Sequence, residues 1–158
     1  MSNRIPKKVY NSIVKIISTR IVFNALVPYN IEQQSQSVGA GFFIDNKGHI
    51  LTAAHVLENS VELWIKIPSE GQNIYKAELI SVYPDFDIGV IRVTNYKNNS
   101  NFLKLGNSDV LHLRDMVYTL GYPNNPKYPI VTSGTISGYR DDYVQTDTPV
   151  NVGNSGGP

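Results

Sequence analysis

The 158-residue sequence contains no cysteine, which excludes disulfide staples, thiolate metal sites and a cysteine nucleophile. It also lacks an excess of charge of either sign: 14 Lys and Arg stand against 13 Asp and Glu, for a formal net charge of +1. No broad positive field exists to hold a phosphate backbone, and nucleic acid is not expected as a main partner. No apolar run approaches the ~18 residues needed to cross a bilayer, so no membrane partner is expected. The N-terminus carries Arg4, Lys7 and Lys8, but Asn11, Ser12 and Lys15 interrupt the adjoining stretch and no signal-peptide core appears. That pattern favours an intracellular protein. His49, His55 and His112 lie far apart without a His-Glu-x-x-His spacing, so no metal site is expected.

What remains is an ordinary globular composition, 41% hydrophobic and 17% charged, in a chain long enough for a sizeable core. From about Ser37 onward the pattern is strand after strand. Residues Val61 to Ile67 alternate, with Val61, Leu63, Ile65 and Ile67 on one face and Glu62, Trp64 and Lys66 on the other. Phe42 to Ile44 and Ile50 to Thr52 flank Asp45-Asn46-Lys47-Gly48, which predicts a hairpin. Further strands are expected over 75–83, 88–93, 116–120, 130–137 and 143–147, each bounded by Gly, Pro, Asn or Asp. Near the N-terminus a helical turn running into a β-branched strand, Ile13 to Phe23, is expected. Many short strands with no long helix between them predict an all-β antiparallel fold. The polar run Thr94 to Asn101 suits a linker between two halves.

The most informative segment is Gly153-Asn154-Ser155-Gly156-Gly157-Pro158. A Gly-x-Ser-Gly-Gly-Pro match arises by chance on the order of once in several thousand chains of this length. A nucleophilic serine needs a tight, accessible turn, with backbone N–H groups aimed where a carbonyl oxygen becomes negative. Gly153 can adopt backbone angles closed to other residues, so that the N–H groups of Gly153 and Ser155 converge on one oxyanion. His55, at the end of the apolar run Leu51-Thr52-Ala53-Ala54, suits the base that takes the serine proton. Asp87, at the entrance to Ile88-Gly89-Val90, suits the group that orients the imidazole through Nδ1. Asp85 competes for that role, while His49 and His112 read as surface histidines.

These segments resemble the trypsin-like serine proteases of chymotrypsin fold, and within them the HtrA/Deg branch. The resemblance rests on Gly39-Ala40-Gly41-Phe42-Phe43-Ile44, Leu51 to Val56, Asp87 to Ile91, Leu105-Gly106-Asn107-Ser108, Gly121-Tyr122-Pro123, Val131 to Ser137, Gln145-Thr146-Asp147 and Gly153 to Pro158, with His, Asp and Ser in the family's order. The family motif falls on Asp87 rather than Asp85. The resemblance implies two six-stranded antiparallel barrels with a His55, Asp87, Ser155 triad in the cleft between them. It implies an oxyanion hole at the backbone N–H groups of Gly153, Asn154 and Ser155. It further implies endopeptidase activity on unfolded or extended polypeptides, no cofactor, and room for a homo-oligomer. Position 149, six before the serine, is proline rather than the aspartate of Lys- and Arg-cleaving trypsins, so a basic P1 residue is disfavoured, and the resemblance to the HtrA/Deg branch implies a small or branched apolar one. Asn154 precedes the serine where zymogens need an aspartate, which excludes activation by that ion pair.

On this reading residues 1–36 hold the helical turn and first strand, 37–94 the first barrel, 95–101 a linker and 102–158 a partial second barrel. Three more strands would complete that barrel. The expectation is a fragment of a longer reading frame, then completion by a second polypeptide, then a degraded remnant. The alternative function is a protease-like module without turnover that binds peptides or partners through an open sheet edge.

Overall fold

The structure is a computed structural model that describes residues 4–22, 33–96 and 101–158. The parts of the expected linker at 97–100, and the end of the first predicted strand at Phe23, lie outside the described residues. The chain opens with a short helix α1, Lys7–Ser12, that runs directly into strand β1, Ile13–Val22. Strands β2 (Gln33–Phe43), β3 (His49–Ala53), β4 (Ser60–Lys66), β5 (Ile74–Tyr83) and β6 (Ile88–Val93) come next, with a one-turn helix α2, Ala54–Leu57, after β3. These six strands close into an antiparallel barrel in the order β1-β2-β3-β6-β5-β4. Strands β7 (Met116–Gly121), β8 (Ile130–Arg140) and β9 (Tyr143–Thr146) form a three-stranded antiparallel sheet. The architecture is the all-β chymotrypsin type, with one closed barrel and a second, partial sheet. Among the described residues no helix is long and apolar enough to cross a membrane.

Strand alternation sorts side chains between two cores. On β1 and β2 the residues Val14, Ile16 and Phe43 point into the barrel, where they meet Ile50, Leu63, Ile65 and Ile91. Their neighbours Ile13, Ala40 and Phe42 point outward and pack against Leu120 and Tyr122 of the second unit. The barrel closes tightly around Gly41, because a Cβ there would lie 2.8 Å from both the Ile16 and Ile50 side chains. Tyr122 is fully buried between the units.

The predicted hairpin forms, with Phe42 opposite Leu51 and Phe43 opposite Ile50. The predicted alternation holds at Leu63 and Ile65 but fails at Val61, which is 53% exposed. A register shift between Thr19 and Arg20 in the β1–β4 ladder turns the start of β4 outward there. Strand β8 runs to Arg140, three residues past the sequence expectation. Tyr96, inside the run read as a linker, instead stacks on Phe43 at 5.3 Å and meets Tyr75 edge-on at 5.6 Å.

Candidate active site

His55 lies in α2, whose leading N–H groups have no partner within a single turn. Asp87 supplies the missing acceptors. Its carbonyl oxygen accepts the N–H of Ala54 at 3.0 Å, and its Oδ1 accepts the N–H of His55 at 2.9 Å. Its other carboxylate oxygen, Oδ2, lies 2.6 Å from His55 Nδ1. Asp87 reaches this position by leaving the 3₁₀ turn Pro84–Phe86 with φ 53 and ψ 41, a left-handed conformation that aspartate tolerates better than most residues. One residue thus fixes both the backbone and the ring of the histidine, 32 positions away in sequence.

Burial alone would raise the Asp87 carboxyl. The His55 backbone N–H, the imidazole and the Ala54 N–H outweigh it and hold the group below the usual carboxylate range. An ionised carboxylate only accepts, so the bonded Nδ1 must donate. In a neutral ring, Nε2 is then the free acceptor. Both side chains are about half exposed, at 53% and 50%, and they border a cavity of about 270 Å³ lined also by Leu57, Val82 and Pro84. A larger cavity of about 540 Å³, between the N-terminal segment and β7, has no acid, histidine or serine in its lining.

The segment Gly153 to Pro158 is wedged between the barrel and the second sheet. The N–H of Ala40 on β2 donates to the Ser155 carbonyl at 2.8 Å, and the N–H of Leu120 on β7 donates to the Pro158 carbonyl at 3.1 Å. Two glycines are required here. Gly153 has φ +99, and a Cβ on it would stand 2.2 Å from the Tyr122 carbonyl oxygen; Gly156 has φ +82, and its Cβ would stand 2.1 Å from Thr52 Oγ1. Ser155 comes near α2 across Gly39, where a Cβ would lie 3.3 Å from the Ser155 carbonyl oxygen and 2.6 Å from Val56, the neighbour of His55. Among the described residues no hydrogen bond joins the Ser155 hydroxyl to His55. Such bonds are commonly long without substrate and tighten when it is bound.

Of the three N–H groups expected for an oxyanion hole, that of Asn154 is already engaged, donating to the Asn151 carbonyl at 3.0 Å. Those of Gly153 and Ser155 have no acceptor among the described residues. The competing Asp85 is exposed in the 3₁₀ turn, and the histidine bonds to Asp87. His49 pairs with Asp45 at 2.6 Å and His112 is exposed. Among the described residues no group of acids and histidines has the makings of a metal site. One residue that the sequence did not flag also touches the site: Arg20 Nη2 donates to the His55 carbonyl at 2.8 Å. An arginine at the end of an apolar strand carries no sequence pattern that would single it out.

The family description "Trypsin-like peptidase domain" matches residues 39–158. The chain belongs to this family. Its relatives narrow the branch to HtrA/Deg. It is 34% identical to "Putative protease Do-like 3, mitochondrial" of Arabidopsis thaliana over 161 residues, covering 94% of this chain and 28% of that protein. It is 37% identical to "Probable periplasmic serine endoprotease DegP-like" of Halomonas elongata over 134 residues, covering 80% and 27%. "Putative protease Do-like 13" of Arabidopsis thaliana matches at 33% over 164 residues, covering 96% and 33%. This HtrA/Deg chain therefore spans about a quarter to a third of the length of these curated relatives.

Proposed function

We propose that this chain carries the reacting groups of a serine endopeptidase. Ser155 Oγ attacks the carbonyl carbon of a peptide bond while His55 Nε2 takes its proton, and Asp87 stabilises the imidazolium that forms. The negative oxygen of the tetrahedral intermediate accepts from the N–H groups of Gly153 and Ser155. On collapse the C–N bond breaks, and His55 gives its proton to the leaving amine. A water deprotonated by His55 then attacks the acyl ester, and the Ser155 hydroxyl is restored. No cofactor takes part. The observation that carries the reading is the double grip of Asp87 on His55, which leaves Nε2 as an acceptor in the neutral ring.

The substrates in this reading are unfolded or extended polypeptides. A basic P1 residue is disfavoured because position 149 carries no charge to hold it, and a small or branched apolar P1 residue is what the HtrA/Deg resemblance implies. The test is hydrolysis of an unfolded protein by the intact gene product. Wild type is expected to cleave and Ser155→Ala to be inert. Equal rates in the two proteins would overturn the assignment, and peptide binding without turnover that survives His55→Ala would favour a binding module.

A further inference from the structure

Among the described residues Lys15 is the only charged side chain that is buried, at 6% exposure. It lies on the outward face of β1 beside Ile13, which packs against the second unit. Its Nζ donates to Asn125 Oδ1 at 3.0 Å and to the Pro126 carbonyl, and stands 4.9 Å over the centre of the Tyr122 ring. One cation on the barrel thus gathers a whole loop of the other unit, 110 residues away in sequence. That loop holds two successive asparagines in the left-handed region, Asn124 at φ 58 and Asn125 at φ 61. Such angles persist where the surroundings over-determine them.

The loop in turn grips the turn before Ser155. Tyr122 N–H donates to the Gly153 carbonyl at 3.0 Å and Asn124 N–H to the Val152 carbonyl at 3.3 Å. In a planar trans peptide the C=O and N–H point in opposite directions. With the Val152 carbonyl held toward Asn124, the Gly153 N–H of the same peptide must point away from the loop. Rotating that peptide would turn the N–H away and bring a carbonyl in its place.

We propose that Lys15 is a positioning residue for the oxyanion hole: its ammonium fastens the Tyr122 to Pro126 loop, and that loop fixes the Val152–Gly153 peptide so that the Gly153 N–H is presented to the reacting oxygen. The inference rests on Ser155 being the nucleophile. A methionine of similar reach would fill the same space without the cost of desolvating a charge. The distinctive contribution of the lysine is therefore to the two oxygen acceptors on the loop.

The test uses Lys15→Met and Asn125→Gly in the intact gene product. The glycine variant keeps the left-handed angle, removes the amide acceptor and leaves the core untouched, so it decides the matter if Lys15→Met does not fold. Both variants are expected to lose roughly three- to thirtyfold in kcat at unchanged KM, with a parallel fall in the rate of labelling by a fluorophosphonate. The Tyr122 and Asn124 amides should exchange faster with solvent, while the His55 Nδ1–H resonance stays where it is. Unchanged kcat and unchanged amide exchange would overturn the proposal, as would a kcat loss that merely tracks the folded fraction. If wild type is not labelled at Ser155, the nucleophile assignment fails on its own, and unchanged exchange in the variants would still dismiss Lys15 as the fastening of the loop.

Discussion

The hydrogen-bond geometry of Asp87 makes Asp87→Asn an unusually decisive substitution. The carboxylate serves two donors at once, the His55 backbone N–H at 2.9 Å and the ring Nδ1 at 2.6 Å. An asparagine amide has one oxygen and one NH₂. The backbone N–H cannot change its role, so the amide oxygen must face it and the NH₂ must face Nδ1. The neutral ring is then driven to the tautomer with its proton on Nε2, which can no longer accept from Ser155. The fold should survive, because the Ala54 N–H bonds to the main-chain carbonyl of residue 87 and asparagine is comfortable at φ 53. A loss of roughly 10³- to 10⁴-fold in kcat is expected with little change in KM. The assay is peptide hydrolysis together with nitrogen-detected NMR of the imidazole, which reads the tautomer directly. Asp85→Asn, two residues away, should retain activity within about twofold of wild type. If Asp87→Asn keeps more than a tenth of wild-type kcat, or Asp85→Asn loses as much as it does, the reasoning from tautomer to rate is wrong.

The same geometry predicts three further outcomes. Gly153→Ala places a Cβ against the Tyr122 carbonyl at φ +99, so fluorophosphonate labelling should be lost and the melting temperature should fall. Burial would raise the Asp45 and Asp87 carboxyls, but the bonds each receives from its histidine and nearby backbone N–H groups hold both below the usual range. A depressed folded-state value gives stability that is present above about pH 4 and is lost as pH falls through the folded-state values. Wild type should therefore lose melting temperature on going from about pH 5 to pH 3, and the Asp45→Asn, Asp87→Asn double variant should lose less. Tyr96→Ala removes the ring stacked on Phe43 and the hydroxyl that donates to Glu70 at 2.6 Å. A loss of about 2–4 kcal/mol in urea unfolding is expected, and a loss below about 1 kcal/mol would mean that the segment after β6 is not anchored there.

What the sequence made legible is what local rules govern. The alternation of Leu63 and Ile65, the Asp-Asn-Lys-Gly turn and the bounded apolar runs each report a period or a turn type, and the strands appear where those signals fall. The family was legible because the chemistry of acyl transfer dictates residue types as well as spacing. Val61 misled because it is the residue skipped where the β1–β4 pairing shifts register, Thr19 facing Glu62 and Arg20 facing Ser60. Tyr96 misled because the seven polar residues around it in the run Thr94 to Asn101 mask one aromatic whose partners, Phe43 and Tyr75, lie on distant strands. Lys15 was the least readable. In Ile-Val-Lys-Ile-Ile it looks like a polar interruption, and only the loop at Tyr122 to Pro126 shows that it is buried and bonded. Arg20 on the same strand escaped for the same reason, its acceptor being a main-chain carbonyl that no side-chain pattern announces.

The central claim is that Ser155 is made nucleophilic by the His55–Asp87 pair. Reaction of the intact gene product with a fluorophosphonate, coupled to mass-spectrometric mapping of the adduct, tests it most directly. A single adduct on Ser155 in wild type, greatly slowed in His55→Ala and Asp87→Asn, is the predicted result. An adduct on another residue, or labelling of Ser155 at the same rate without His55, would contradict it.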